Sequence, residues 1–163
     1  MASLLLALVV SASPLENHKQ WTVSVDPLTE LLGFVHVQVE RAVGPHFSVY
    51  VGPNLRLFDS PLGFPKGPFR GYGAEVGVRG FVWGVAPEGA WLMLRGVLAA
   101  VTSPEGTEAG GYGSFLAGYT TIIGPGLVLS GGLGISYFAY GPVSQGGVHG
   151  FLPAAHTAIG WAF

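Results

Sequence analysis

From residue 21 onward, apolar and polar residues alternate in short runs along the chain. Between residues 35 and 40, every second position is a valine, and His36, Gln38 and Glu40 lie between the valines. Residues 46–57 repeat this spacing, with apolar side chains on one face and mostly polar or small ones on the other. Successive side chains of a β-strand point to opposite faces, so the pattern predicts strands with one apolar and one polar side.

Clusters of Gly, Pro, Asp, Asn and Ser separate these runs and divide the rest of the chain into strands. The count of eight is even, which would return both chain ends to the same side of a barrel. The fold class predicted is therefore all-β, an eight-stranded antiparallel up-and-down transmembrane β-barrel. The predicted strands are residues 21–26, 34–41, 46–57, 71–83, 90–102, 110–122, 127–140 and 150–163.

The connections between these strands alternate in length. Bacterial outer-membrane barrels show this asymmetry, with short turns on the periplasmic side and longer loops outside. Leucines in the first long connection could also extend the two strands that flank it. The short connections are residues 42–45, 84–89 and 123–126, and the longer ones are residues 27–33, 58–70, 103–109 and 141–149.

The composition fits a membrane environment. The chain is 49% hydrophobic but only 10% charged, whereas charged residues make up about 25% of typical soluble domains. After the N-terminus, no window of about 18 to 20 residues is free of Gly, Pro and polar residues, which excludes transmembrane helices. The 27 Gly and 12 Pro also disfavour helix. The alternative is a soluble barrel whose strands carry ordinary aromatic residues.

Aromatic residues lie near the ends of the predicted strands, as two interfacial girdles require. The girdle predicted for the periplasmic rim contains Trp21, Trp83, Trp91, Trp161 and Phe163. The girdle predicted for the outer rim contains Phe58, Phe69, Tyr72, Tyr112 and Tyr140.

The polar faces of the predicted strands carry a nearly balanced set of charges that would point into the lumen. The interior of an eight-stranded barrel is just wide enough to be filled by side chains, and an unpaired buried charge costs several kcal/mol. We therefore expect a charge network that plugs the lumen, with Glu75 as the carboxylate that compensates Arg79. A catalytic carboxylate pair is the alternative. The predicted network contains Glu40, Arg56, Glu75, Arg79 and Arg95.

No catalytic, cofactor-binding or metal site is predicted, and the chain is not expected to be an enzyme. The five histidines form no close-spaced metal pattern, there is no cysteine, and a net charge of −2 gives no support to nucleic-acid binding. His156 and Thr157 invite comparison with histidine-based lipid hydrolases. However, His156 shares its strand face with Gly160 and Ala162, which is predicted to point inward, away from a membrane substrate. The glycines are expected to relieve crowding in a narrow barrel.

The N-terminus matches a secretory signal peptide. An apolar run at residues 4–10 is followed by small residues, and cleavage after Ala12 would place Val10 and Ala12 at the small-residue positions. No Lys or Arg precedes the apolar run, which leaves two alternatives: a start upstream of Met1, or an ordered apolar N-terminus. The predicted organisation is a signal peptide at residues 1–12, a short extension at 13–20 and a barrel domain at 21–163.

The last eight residues end in Gly-aromatic-x-Phe, formed by Gly160, Trp161 and Phe163. This ending resembles the signal by which the barrel-assembly machinery recognises its clients, although Ala158 stands where a polar residue is usual. Over residues 21–163 the chain looks like the small eight-stranded barrels of the OmpA and opacity-protein type. It more closely resembles an uncharacterised outer-membrane barrel family, through Asp26-Pro27-Leu28, the turn entry at residues 39–43 and the Phe-Leu-Pro at residues 151–153.

These resemblances imply a fold and an outer-membrane location but no activity. The expected function is an integral outer-membrane barrel with a plugged lumen and a structural or surface-interaction role. The expected partners are outer-membrane lipid and, during biogenesis, the barrel-assembly machinery. The alternatives are binding or transport of small apolar molecules, suggested by Phe58, Leu62, Phe64 and Phe69 in a loop, and a lipid-modifying enzyme.

Overall fold

The structure, a computed structural model, describes residues 19–31, 34–56, 70–103, 106–140 and 148–163. These residues form a closed barrel in which each of eight antiparallel strands pairs with its neighbours in sequence, and the first strand pairs with the last. The predicted all-β, eight-stranded up-and-down architecture is confirmed. The strands are Trp21–Val25 (β1), Phe34–Gly44 (β2), Phe47–Arg56 (β3), Arg70–Val85 (β4), Glu88–Ser103 (β5), Gly106–Ile123 (β6), Leu127–Tyr140 (β7) and Val148–Ala162 (β8).

Three tight turns and both described chain ends lie at one end of the barrel, here called the turn end. The turns join β2 to β3, β4 to β5 and β6 to β7, as the short connections predicted. At the β4–β5 turn, Gly84 and Gly89 have positive φ angles of 92° and 131°. Residues with a side chain rarely adopt this backbone conformation, so glycine permits the turn here. The opposite end, here called the loop end, carries the other connections.

One predicted loop is wrong. Residues 103–109 were expected to form a long connection, but β5 continues to Ser103 and β6 begins at Gly106. The two strands pair up to Ser103 and Gly106, and the Thr102 and Thr107 hydroxyls are 2.9 Å apart across the pair. Gly106 has a φ of 145°, a backbone conformation that residues with a side chain rarely adopt. Glycine at this position therefore allows β6 to begin directly opposite the end of β5.

The first strand is much shorter than the others because a helical turn follows it. Asp26 caps this turn, the helix α1 (Pro27–Leu31), by accepting hydrogen bonds from the backbone N–H groups of Leu28 and Thr29 at 3.0 and 3.4 Å. Pro27 at the first helical position suits a helix start and cannot donate to a β-ladder. No helix in the described ranges is long and apolar enough to cross a membrane.

The two faces of the barrel wall differ sharply in polarity. Large apolar side chains point outward, including Leu94, Leu98 and Leu133, which are 64%, 76% and 72% exposed. The side chains buried inside are largely polar or charged. The expected signal peptide at residues 1–12, and most of the extension at 13–20, lie outside the described residues.

Candidate functional site

The barrel interior is the candidate functional site because several charged side chains are buried there. Glu40 on β2, Glu75 and Arg79 on β4, and Arg95 on β5 are all buried, at no more than 8% exposure. Each stands on the inward phase of a period-two strand, which is the position that its sequence pattern predicted. The side chain of the fifth predicted member, Arg56 at the end of β3, lies outside the described residues.

The main ion pair of the interior joins two strands that are not neighbours. Arg79 Nη1 donates to Glu40 Oε2 at 2.7 Å, and both side chains are buried. The Glu40 carboxylate also accepts hydrogen bonds from Ser48 on β3 and from Thr22 on β1, the latter at 3.3 Å. The carboxylate bonded to Arg79 is therefore Glu40, two strands away, whereas the expectation named Glu75 on the same strand as Arg79.

Arg79 has further partners around its guanidinium. Nη2 lies 2.8 Å from His156 Nε2 on β8, and Nε lies 3.4 Å from Met93 Sδ on β5. The guanidinium carbon is 5.0 Å from the Trp91 ring centroid and 5.3 Å from that of Tyr50. The Arg79 side chain on β4 thereby contacts residues of β2, β3, β5 and β8, and it links these strands through the barrel interior.

Glu75 belongs to a second polar group. Its Oε1 accepts a hydrogen bond from Gln38 at 3.3 Å, and its Oε2 lies 3.2 Å from His36 Nε2. Arg95 Nε donates to Ser114 at 3.3 Å, and Ser114 is 2.6 Å from the Ser136 hydroxyl. These contacts span β2 to β7, so polar side chains line most of the circumference of the lumen.

Apolar side chains form a separate buried cluster with Tyr50. Trp91 is 1% exposed, so its predicted place in the girdle at the periplasmic rim is wrong. Trp91 lies four residues before Arg95 on the same strand and therefore shares its inward face. A Cβ at Gly118 or Gly132 would come closer than 3.0 Å to the indole. These two glycines relieve crowding around Trp91. The cluster consists of Ala42, Tyr50, Phe81, Ala86, Trp91, Met93 and Leu116.

Sequence reasoning placed His156 inside but missed its partners. Its Nδ1 lies 3.6 Å from Asp26 Oδ2, and both side chains are fully buried. Asp26 follows the last residue of β1 and also accepts a hydrogen bond from the Thr157 hydroxyl. The alternation in β1 and β8 shows that both side chains point inward. It does not show which residues of the two strands lie opposite each other where β1 and β8 close the barrel.

The surroundings of His156 differ from those of the base in a hydrolase triad. His156 Nε2, the atom that would accept a proton from a nucleophile, faces the Arg79 guanidinium instead. Within the described ranges, no three His, Cys, Asp or Glu residues are grouped so that they could hold a metal ion.

The C-terminal motif closes the barrel. Phe163 exchanges backbone hydrogen bonds with Trp21, at 2.9 and 3.0 Å. Trp161 and Phe163 point outward and are 48% and 61% exposed, whereas Gly160 packs against β1, where a Cβ would be closer than 3.0 Å to Ser24. The role of these three residues as an assembly signal stays a prediction.

Three of the remaining girdle aromatics lie on the outside. Trp21 and Trp83 are 39% and 70% exposed near the turn end, and Tyr72 is 65% exposed toward the loop end. Tyr112 does not lie outside, because it shares the inward phase of Ser114 and Leu116 on β6, and the Arg95 guanidinium carbon is 5.4 Å from its ring centroid. Its predicted place in the girdle at the outer rim is therefore wrong. Phe58 and Phe69 lie outside the described residues, as do Leu62 and Phe64 of the apolar loop.

Comparisons with models of protein families, with curated proteins and with solved structures found no significant match. The class that the structure defines is a closed eight-stranded antiparallel β-barrel with a polar interior. That class is compatible with a small outer-membrane protein. The finer resemblance to the OmpA and opacity-protein type, or to the related barrel family, stays a prediction.

Proposed function

We propose that this protein is an integral outer-membrane β-barrel with a plugged lumen that has a structural or surface-interaction role. The observation that carries the proposal is the inverted polarity of the wall, with charged residues such as Arg79 and Glu75 buried and large apolar residues such as Leu98 exposed. In water, this arrangement would expose an apolar surface far larger than soluble monomers tolerate. In a bilayer, the apolar surface faces hydrocarbon, and closure of the barrel leaves few edge groups unpaired.

The packing of the lumen supports a plug in preference to a channel. Arg79 bonds to Glu40 inside the lumen, and Trp91 and Met93 are each only 1% exposed. Water-filled channels occur in barrels with many more strands, whereas eight strands leave an interior that side chains can fill. A filled interior favours a role in the membrane or at its surface, with external connections as the contact region.

Location is tested by fractionation of cells that express the full chain. We expect the mature protein, beginning near Ser13, to be recovered with outer membranes and to migrate differently on gels before and after heating. Recovery of the full-length chain as a soluble cytoplasmic protein would overturn the proposal.

The plug is tested by planar-bilayer recording of the purified, refolded barrel. We expect negligible steady conductance, because charged and aromatic side chains occupy the lumen. A matched control is a wider porin inserted under the same conditions. A stable open conductance in this protein would show a water-filled path and make transport the better hypothesis.

A second candidate function is the binding of small apolar molecules. The observation that favours it is an outward-facing groove beside α1, lined by Leu28, Tyr119, Leu129 and Ile159 among others. Native mass spectrometry of barrel extracted from cells would show a retained small molecule if this function is correct.

A further inference from the structure

The barrel wall is interrupted where β1 gives way to α1. The β1–β8 ladder runs from Thr22–Ala162 to Val25–Ile159 and ends there, whereas β8 itself extends back to Val148. Among the described residues, no strand pairs with the rest of β8 on this side. The helix α1 lies in this interval and contacts both β2 and β8. Asp26 N donates to His36 O at 3.2 Å, and Leu28 N donates to the Thr157 hydroxyl at 3.1 Å.

The exposed edge of β8 is poorly suited to a docking strand. Ala162 N donates toward the β7 side, to Gly126 O, and Phe163 N donates toward β1, to Trp21 O. The β7–β8 register continues without a shift, so odd-numbered residues of β8 direct their N–H groups toward the wall break. Pro153 holds an odd position and has no N–H. Proline on an edge strand blocks the ladder that an added strand would need.

An apolar groove opens on the membrane-facing side of the same break. Its volume is about 580 Å³. Gly131 lies in the groove, is exposed, and would find no atom within 4 Å of an added Cβ. This open space could receive a hydrocarbon chain. The side chains that bound it are those of Pro27, Leu28, Tyr119, Leu129, Thr157 and Ile159, and the groove is called the α1 groove below.

A polar pair stands one side chain behind the α1 groove. The Thr157 hydroxyl donates to Asp26, and Asp26 Oδ2 lies 3.6 Å from His156 Nδ1. Both side chains are fully buried. Within the described part of the chain, neither Asp26 Oδ2 nor His156 Nδ1 has a hydrogen-bond partner. The 3.6 Å between the two atoms is longer than a hydrogen bond, and a group placed between them could bond to both.

The neighbouring arginine determines what that group must be. Arg79 Nη2 lies 2.8 Å from His156 Nε2, and a guanidinium can only donate hydrogen bonds. Nε2 therefore accepts, and in the neutral ring the proton resides on Nδ1. The pair thus offers an N–H donor and a carboxylate acceptor. A hydroxyl group matches both, whereas an ammonium group cannot accept from Nδ1 and a carboxylate would be repelled by Asp26.

We propose that the wall break is a lateral binding site for a membrane-dissolved amphiphile with a hydroxyl head group. The chain of the amphiphile lies in the α1 groove, and its head passes Thr157 to accept from His156 Nδ1 and donate to Asp26 Oδ2. The site rests on the proposed membrane location, since the groove opens on the lipid-facing surface. It adds a ligand class and an entry route to a barrel whose lumen is otherwise closed.

The test uses the full mature chain, refolded in detergent and examined by native mass spectrometry. Three amphiphiles of equal chain length serve as probes: a primary alcohol, a primary amine and a fatty acid. We expect the alcohol to be retained in preference to the other two by about fivefold or more, which corresponds to one hydrogen bond of about average strength. Equal retention of the three would overturn the proposed recognition by Asp26 and His156.

A pair of glycine variants tests the groove without disturbing the buried pair. Gly131→Phe fills the α1 groove and should abolish the preference for the alcohol. Gly96→Phe is the matched control, because Gly96 is exposed on β5 and an added Cβ there also has no neighbour within 4 Å. Heat-modifiable gel mobility confirms that each variant is folded. Equal losses in the two variants, or no loss in Gly131→Phe, would overturn the site.

Three further outcomes have defined meanings. Failure of the folded parent to retain the alcohol would mean that only water occupies the polar pair, and would overturn the site. A dimer that Gly131→Phe disrupts would show that a second copy covers the groove, and would also overturn it. Cytoplasmic recovery in the fractionation experiment would defeat both the proposed membrane function and entry from a membrane, whereas alcohol retention by the refolded barrel would still show that the groove binds a hydroxyl amphiphile.

Discussion

Arg79 on β4 and Glu40 on β2 form an ion pair of 2.7 Å inside the barrel. The strand between them, β3, contributes Ser48 to the same carboxylate. A buried guanidinium and carboxylate stabilise a fold only if each is fully partnered, because both lose their hydration. The contacts of Glu40 with Ser48 and Thr22, and those of Arg79 with His156 and Met93, supply the additional partners.

The first prediction concerns this ion pair. Arg79→Ala should lower the free energy of unfolding by about 3 to 5 kcal/mol, because it leaves a buried carboxylate without its counter-charge. Adding Glu40→Gln should recover part of the loss, whereas adding Glu75→Gln should recover less. Urea unfolding of the barrel in lipid vesicles provides the measurement. Greater stability of the single variant would mean that Arg79 does not face the lumen.

The second prediction uses two adjacent glycines on β7 that face opposite sides of the wall. A Cβ at Gly132 would come closer than 3.0 Å to the Trp91 indole, whereas a Cβ at Gly131 would meet nothing within 4 Å. Gly132→Ala should therefore destabilise the barrel by about 1 to 3 kcal/mol through overpacking. Gly131→Ala, the control, should change stability by no more than about 0.5 kcal/mol. Similar effects of the two changes, measured by the same unfolding assay, would contradict the packing around Trp91.

The third prediction separates a membrane barrel from a soluble one. Leu94 is 64% exposed near the middle of β5, and Val82 is 69% exposed near the turn end of β4. In lipid, Leu94→Arg should cost about 2 to 4 kcal/mol, and Val82→Arg should cost about 0 to 1 kcal/mol, because the penalty depends on depth in the bilayer. Unfolding in vesicles tests this difference. If neither change altered stability, water would be the natural environment of the wall.

The fourth prediction concerns the C-terminal phenylalanine. Deletion of Phe163 removes both its ring and its backbone hydrogen bonds to Trp21, so the heat-modifiable fraction in cells should fall and unfolded chain should be degraded. Phe163→Ala keeps the backbone bonds and loses only the ring. A comparable fall in Phe163→Ala would support recognition of the aromatic ring during assembly. Normal assembly of both variants would mean that Phe163 is only one member of the girdle predicted for the periplasmic rim.

Much of the barrel could be predicted because the alternation of apolar and polar residues within one strand shows which of its side chains point inward. The alternation around Val37 and Gln38 requires no knowledge of the rest of the chain, and neither does the inward phase of Arg79. Inward phase identified Glu40, Glu75 and Arg95 as buried residues before any contact was known. The β7 boundaries, Leu127–Tyr140, agree with the prediction residue for residue.

The partners within the lumen could not be predicted in the same way. Which carboxylate meets Arg79 depends on the stagger of the strands around the barrel, and period-two alternation carries no information about stagger. Helix α1 was missed for a different reason. Its leucines suit a strand as well as a helix, and only the cap formed by Asp26 before Pro27 indicates that β1 must end.

The short ladder between β1 and β8 also makes the barrel mechanically uneven. Strand β1 bonds to the C-terminal segment that ends in Phe163 through its five residues, Trp21 to Val25, whereas β7 and β8 are paired along nearly their whole lengths. Force applied to the two termini of a single molecule would therefore load the weakest ladder first. The barrel should unzip from that seam, with β1 and α1 extracted before the hairpins of β4 to β8 begin to yield.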